Sequence, residues 1–339
     1  QAGKRVKGAT VFTTLEPCAH DSVRGPNCAD LLIAAKPERI VIALKDPDPR
    51  TTGKGIRRLR NAGIEVKLGI RREEARRSLS GWLTRLKLGR PRITLKLALS
   101  IDGKIALPSG ESKWITGEDA RRHVHLERAH SDMILVGRGT YMADQPRLDV
   151  RLPGLEDHSP RRALLTRGGE QVKGWEILTN PRDVCRLHDV NDLLVEGGSA
   201  TATAFLTEDL VDRILIYRAP IIVGEGKSSF GYVGLDAIAD AHGRWQLVDE
   251  RSPRRHSGRN GERANFVPPH LVVERADNDQ DTVGGQRNPD LNRFSPGQRL
   301  SFQACVPMDR RAGRSSFRAC AFETAVMYRA RQVRRPRTS

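Results

Sequence analysis

The sequence predicts an α/β fold arranged as two domains, residues 1–88 and 89–250, with a basic tail over 251–339. Three observations carry this. Short aliphatic and β-branched runs alternate with segments of helical spacing as far as residue 249, the pattern of strands joined by helices and of a parallel sheet. A chain of 339 residues with 38% hydrophobic content can bury more than one core. After Glu250 the composition breaks: residues 251–339 hold 18 Arg, no Lys and 8 acidic side chains, with Pro, Gly and Ser between them. Such a segment buries little apolar surface and is expected to be disordered, and Cys305 and Cys320 within it have no evident partners.

Composition excludes several classes. No apolar run approaches the roughly 20 residues that span a bilayer, and no apolar segment follows the N-terminal charges, so the sequence carries no signal peptide and reads as cytoplasmic. The chain lacks a starting Met and enters a strand almost at once, so it reads as N-terminally truncated. Five cysteines in a chain of this length are no disulfide framework. The formal charge of +17 lies mostly in the tail, which holds no recognisable nucleic-acid-binding motif; residues 1–250 carry only +7. That modest excess suits anionic small-molecule ligands better than nucleic acid.

In chain order, residues 9–15 read as a strand leading into Glu16-Pro17-Cys18-Ala19-His20 and then Gly25-Pro26-Asn27-Cys28, where a helix opens over residues 29–35. Thiolates at a helix N-terminus gain from its dipole, and Zn²⁺ takes deprotonated sulfur, so Cys18 and Cys28 are candidate metal ligands. Two cysteines do not close a zinc site. No His-x-Glu precedes Cys18, and His20 lies too close in sequence to replace a ligand from a separate helix. Two cysteines in an ordinary loop is the alternative. A strand over 39–44, the rigid turn Asp46-Pro47-Asp48-Pro49, a helix ended by Gly63 and a strand over 64–68 follow. Residues 71–88 read as one charged amphipathic helix, broken by Gly89-Arg90-Pro91.

The second domain begins with an apolar strand that ends in Ser100-Ile101-Asp102-Gly103, placing polar groups beyond a carboxyl end, where α/β sheets keep ligands. An ordinary βαβ unit with a polar loop is the alternative. Thr116 is the expected N-cap of a helix reaching about His130, with acidic first-turn residues. His123 and His125 point to different faces and make a poor metal pair. Strands are expected at 133–136, 161–165, 175–178, 190–195, 212–219, 221–223 and, last, 245–249. Between two of them, Glu196-Gly197-Gly198 precedes a helix over 201–210; glycines before a helix N-terminus suit a phosphate, although Gly-Gly alone is a weak signal.

Taken together, Leu15-Glu16-Pro17-Cys18-Ala19-His20, Gly25-Pro26-Asn27-Cys28, Asp46-Pro47-Asp48-Pro49 and Gly53-Lys54-Gly55 resemble the zinc deaminase half of the bifunctional riboflavin-biosynthesis deaminase–reductases. Lys96-Leu97-Ala98, Ser100-Ile101-Asp102-Gly103, Gly110 to Thr116, Ala143-Asp144 with Pro146, and Val195-Glu196-Gly197-Gly198 resemble their reductase half. The resemblance spans about residues 8–250. It implies the C-terminal part of a cytidine-deaminase-like domain followed by a dihydrofolate-reductase-like domain.

The activity implied is NADPH reduction of the ribose of 5-amino-6-(5-phosphoribosylamino)uracil, a phosphorylated pyrimidine, by a homo-oligomer, after zinc-dependent deamination of its precursor. By that resemblance Ala98, Trp114, Thr140, Asp144, Gly198, Ser199, Ala200, Thr201, Ala202, Thr203 and Ala204 would contact NADPH. Ser112, Arg128, Leu148, Arg151 and Glu196 would contact the substrate, with Arg128 and Arg151 able to pair with its phosphate. Asp102 and Lys104 are the candidate proton donors, unless they only shape their turn. Three departures stand out: the missing His-x-Glu, nine residues rather than eight between Cys18 and Cys28, and an unrelated tail in place of the family's last strand. A reductase of another substrate, or a basic nucleic-acid-binding protein using the tail, are the competing readings.

Overall fold

A computed structural model describes residues 6–21, 25–251 and 270–276. They form two compact units that divide between Ser80 and Gly81. The first holds three parallel strands in sequence order, β1 (Thr10–Leu15), β2 (Arg39–Leu44) and β3 (Glu65–Leu68). Helices α1 (Cys28–Ala35) and α2 (Lys54–Asn61) bury Leu32, Ile33, Ile56 and Leu59 against Val11, Ile40 and Ile42. Glu16, only 3% exposed, organises the carboxyl end of this sheet. Its carboxylate accepts hydrogen bonds from the backbone N–H groups of Asp46, Gly53 and Ile56.

The expected helix over residues 71–88 is two helices, α3 (Arg72–Ser78) and α4 (Ser80–Leu88). The hydroxyls of Ser78 and Ser80 donate to the carbonyls of Ala75 and Arg77, competing with the backbone ladder at the joint. Gly81 belongs to the second unit, where a Cβ on it would meet the Asp192 carboxylate at 2.0 Å.

That second unit is built on an eight-stranded sheet. Its strands are β4 (Arg92–Leu99), β6 (Met133–Gly137), β7 (Arg161–Leu165), β8 (Trp175–Leu178), β9 (Asp192–Val195), β10 (Arg213–Arg218), β12 (Trp245–Arg251) and β13 (His270–Arg275), in the order β12-β13-β10-β4-β9-β6-β7-β8. All pairings from β10 to β8 are parallel, and β13 is antiparallel to both β10 and β12. A short hairpin pairs β5 (Lys104–Ala106) with β11 (Lys227–Ser228). One face is covered by α5 (Glu118–Ala129), whose Ala120 and Val124 pack on Leu215, Tyr217 and Val272, with α6 (Arg138–Asp144) following β6. On the other, α7 (Ser199–Thr207) sets Ala202 and Phe205 against Ile93, Leu95, Leu135 and Val195. β6 is buried along its whole length, as a strand covered on both faces must be.

Three expectations are corrected in this unit. The helix N-cap is Gly117 and not Thr116, whose carbonyl instead accepts from the Arg121 guanidinium. Residues 221–223 are not a strand; their chain is held by Asp102, whose carboxylate accepts from the N–H groups of Val223 and Gly224. Most consequential is β13, which lies inside the stretch expected to be a structureless tail. It fills the place between β10 and β12, and Val272 and His270 are 5% and 3% exposed. Residues 252–269 and 277–339, with Cys305 and Cys320, lie outside the described residues.

Candidate active site

Two of the expected substrate contacts, Arg128 and Glu196, meet beyond the carboxyl end of β9. Strand alternation turns Ile93, Leu95 and Leu97 to the α7 core and leaves Lys96 and Ala98 for the opposite face. Glu196, the residue after β9, faces Arg128 from α5. The guanidinium donates Nε to Oε1 at 2.8 Å and Nη2 to Oε2 at 2.9 Å, and Nη1 donates to the Asp149 carbonyl at 3.1 Å. The side chains are 12% and 9% exposed. Burial pushes the Glu196 carboxyl up, but the Arg128 hydrogen bond and charge outweigh it and hold the acid below its ordinary range.

Arg128 is therefore matched by Glu196 and cannot serve as an unpaired phosphate clamp. The exposed cations on this side are Arg151 and Arg147, whose guanidinium groups flank Asp149 with side chains 61% and 78% exposed. They line one shallow basin with Val150, Pro153, Glu156 and Ser159. Leu148 is buried among Ile134, Val136, Leu164 and Leu194 and holds a left-handed backbone at φ 56°. Lys96 belongs to the Lys96-Leu97-Ala98 motif, but the sequence assigned it no contact of its own. The structure places it beside Glu196 and Arg128: burial and the Arg128 charge lower its pKa, and Glu196 partly restores it. His125 accepts from the Arg151 N–H, and burial with the charges of Arg128 and Arg151 depresses its pKa.

Next to this pair lies the glycine turn. A Cβ on Gly197 would meet the Thr201 Cβ at 2.5 Å, and one on Gly137 would meet Thr201 Oγ1 at 2.0 Å. Thr201, 7% exposed, is thus a wedge that locks α7 against the end of β6. Gly198 caps α7 without a side chain, leaving the first-turn N–H groups without a side-chain acceptor. Thr140 is near, its Oγ1 3.7 Å from a Cβ on Gly198. Within the expected segment Gly198 to Ala204, Ala202 is fully buried and its N–H bonds to the Gly198 carbonyl. The Thr203 hydroxyl donates to Ser199 O and accepts from Gly231 N–H. Trp114 is 70% exposed with the Arg121 guanidinium 4.5 Å from its ring centre, and Asp144 pairs with Lys113 at 2.9 Å. Ser112 is exposed in the same loop.

Asp102 is a clamp. The Ser100 hydroxyl and the N–H groups of Val223 and Gly224 hold its carboxyl at about 2, so near neutrality it is an anion engaged in shaping its turn. Lys104 donates to Ser228 Oγ at 3.3 Å across the β5–β11 hairpin.

In the first unit, the Cys28 N–H donates to Cys18 Sγ at 3.1 Å, so the sulfur sits at the start of α1, which Asn27 caps. His20 is engaged with Thr51 at 3.1 Å. Among the described residues no group of three or more His, Cys, Asp and Glu side chains is placed to hold a metal.

Residues 91–252 match the family model described as the RibD C-terminal domain. The riboflavin biosynthesis protein RibD of Aquifex aeolicus is 37% identical over 276 residues, covering 71% of this chain and 77% of that protein. The Escherichia coli protein of the same name is 35% identical over 288 residues, covering 71% and 78%. Among solved structures, Acinetobacter baumannii RibD superposes with a TM-score of 0.67 at 30% identity, covering 81% of this chain and 83% of that one. A Thermotoga maritima diaminohydroxyphosphoribosylaminopyrimidine deaminase/5-amino-6-(5-phosphoribosylamino)uracil reductase gives 0.67 at 29%, covering 80% of each. The family-model match and these relatives define the class as an α/β enzyme with a reductase domain. The chain belongs to the RibD family of riboflavin-biosynthesis deaminase/reductases.

Proposed function

We propose that the second unit reduces the ribose of 5-amino-6-(5-phosphoribosylamino)uracil to the ribitylamino product, with NADPH as reductant. The observation that carries this is the buried Arg128–Glu196 pair set beside the Gly197-Gly198 turn. A matched ion pair at a strand's carboxyl end offers fixed polar groups to a pyrimidine. The uncapped first turn of α7 offers N–H groups to a diphosphate. The turn suits a dinucleotide at Gly198, which puts no side chain over the first turn of α7, whereas the space beside Gly197 is filled by Thr201. Ser199, Ala200 and Thr201 would hold the diphosphate through their N–H groups, with Thr140 beside them. Ala98, Trp114 and Asp144 would border the cofactor, and Ser112, Leu148 and Glu196 the substrate.

Arg151, joined by Arg147, is the phosphate anchor in this reading, since Arg128 is already neutralised. Bound NADPH supplies the hydride. The chain's own residues orient the pyrimidine, hold the Glu196 charge and exclude water around the pair.

In this reading the first unit belongs to the deaminase half. Cys18 and Cys28 suit two zinc ligands at a helix start, but the described residues do not complete a zinc set, so no deamination step is assigned to them. The test is NADPH oxidation with the deaminated substrate and with its precursor, together with zinc content. Turnover of the deaminated compound alone is expected; stoichiometric zinc with ammonia release would sink the assignment for the first unit, and no turnover of either that for the second.

A further inference from the structure

An anion site already filled by the protein lies one strand beyond the glycine turn. Arg138 follows β6 and Thr166 follows β7, and Gly137 pairs with Leu165, so both residues emerge at the same carboxyl edge. Between them sits Glu170. Its carboxylate accepts from Arg138 Nε and from the Thr166 hydroxyl. The Thr166 oxygen in turn accepts from the Gly168 N–H at 3.0 Å. A Cβ on Gly168 would lie 2.6 Å from both Glu170 oxygens, so the loop is built to let this carboxylate fold back. These hydrogen bonds hold the Glu170 carboxyl at about 2, so it is an anion at any physiological pH.

The place of this cluster follows from sheet order. A dinucleotide whose diphosphate lies at Gly197-Gly198 and whose nicotinamide faces the Arg128–Glu196 pair must send its adenosine away from β4. That direction runs over β6 and β7. Dinucleotide sites distinguish their ligands at the adenosine ribose, where a carboxylate takes the 2′-hydroxyl of NADH and an arginine takes the 2′-phosphate of NADPH. This edge carries both, paired with each other.

Resting on the reductase reading above, we propose that Glu170 sets the dinucleotide preference of this site. Its carboxylate stands where the 2′-phosphate of NADPH would bind Arg138 and Thr166, so the phosphate must displace it, whereas the NADH ribose can hydrogen-bond to it. Glu170 thereby lowers the preference for the phosphorylated cofactor.

The test uses the full chain and two probes of the adenosine end, 2′,5′-ADP and 5′-ADP, by calorimetric titration, alongside the NADPH/NADH ratio of kcat/KM. In Glu170→Gln the Kd for 2′,5′-ADP should fall roughly tenfold, as one competing charge is removed. The Kd for 5′-ADP should stay level or rise, and the kinetic ratio should move toward NADPH. Glu170→Ala should behave alike, which guards against an effect peculiar to glutamine. If both variants bind 2′,5′-ADP within twofold of the parent, Glu170 has no such role and the reductase reading stands. If no protein binds either nucleotide, this proposal and the dinucleotide reading fall together.

Discussion

Arg128 and Glu196 exchange two hydrogen bonds with side chains 12% and 9% exposed, so neither charge tolerates loss of the other. Arg128→Ala should cost about 3–5 kcal/mol in denaturant unfolding, because it strands a buried carboxylate. Replacing both by apolar residues should recover most of that stability while reductase turnover stays lost. Asp192 behaves in the opposite sense. Burial first, with help from Asp132, pushes its carboxyl from 3.8 up to about 6. Below about pH 4 both folded and unfolded chains carry the proton and the acid's contribution is complete. As pH rises toward 6 the unfolded chain ionises first, so stability falls across that window. Asp192→Asn should flatten the fall, read as unfolding midpoints between pH 4 and 7.

At the scale of elements, α7 and β13 decide most. Gly197→Ala drives a Cβ into Thr201, whereas Gly198 has φ −78° and only an ordinary 3.7 Å neighbour. The KM for NADPH should therefore rise far more in Gly197→Ala than in Gly198→Ala. β13 changes where the chain can be cut. Ending it at Arg251 removes the strand that pairs with both β10 and β12, exposing the β10 edge and the face under Val272. Such a chain should aggregate, whereas one ending at Ala276 keeps the sheet and its turnover; size-exclusion chromatography and the NADPH assay separate the two. In the first unit, Glu16→Ala would leave three backbone N–H groups without their acceptor. It should lower that unit's stability by at least about 2 kcal/mol, measured by thermal unfolding.

For the whole molecule, the charge excess of +17 does not locate the function. In the proposed reading the reductase site lies around the Arg128–Glu196 ion pair of the second unit, and the arginine-rich stretch contributes a strand to that same unit. The two units also differ in what they need. If the reductase reading holds, incubation with EDTA should leave NADPH oxidation unchanged, because the candidate zinc ligands Cys18 and Cys28 belong to the first unit and the proposed reductase residues to the second. Among the described residues no helix is long and apolar enough to cross a membrane.

The sequence by itself determined the α/β class and most of the helices and strands through residue 218, because local period and turn chemistry are written in consecutive residues, and the family through several motifs in order; it joined α3 and α4 into one helix and left out β5. Cys18, Cys28, Trp114, Arg128, Glu196 and the Gly197-Gly198 turn were legible as motifs for the same reason. Tertiary structure decided the rest. That Arg128 is neutralised by Glu196, 68 residues away, depends on α5 packing against the sheet beyond the end of β9. Lys96, Arg147 and Glu170 acquire their neighbours only when the carboxyl edge assembles. His270-Leu271-Val272-Val273-Glu274-Arg275 is too short to stand out from basic surroundings, and becomes a strand because β10 and β12 present unpaired edges on either side.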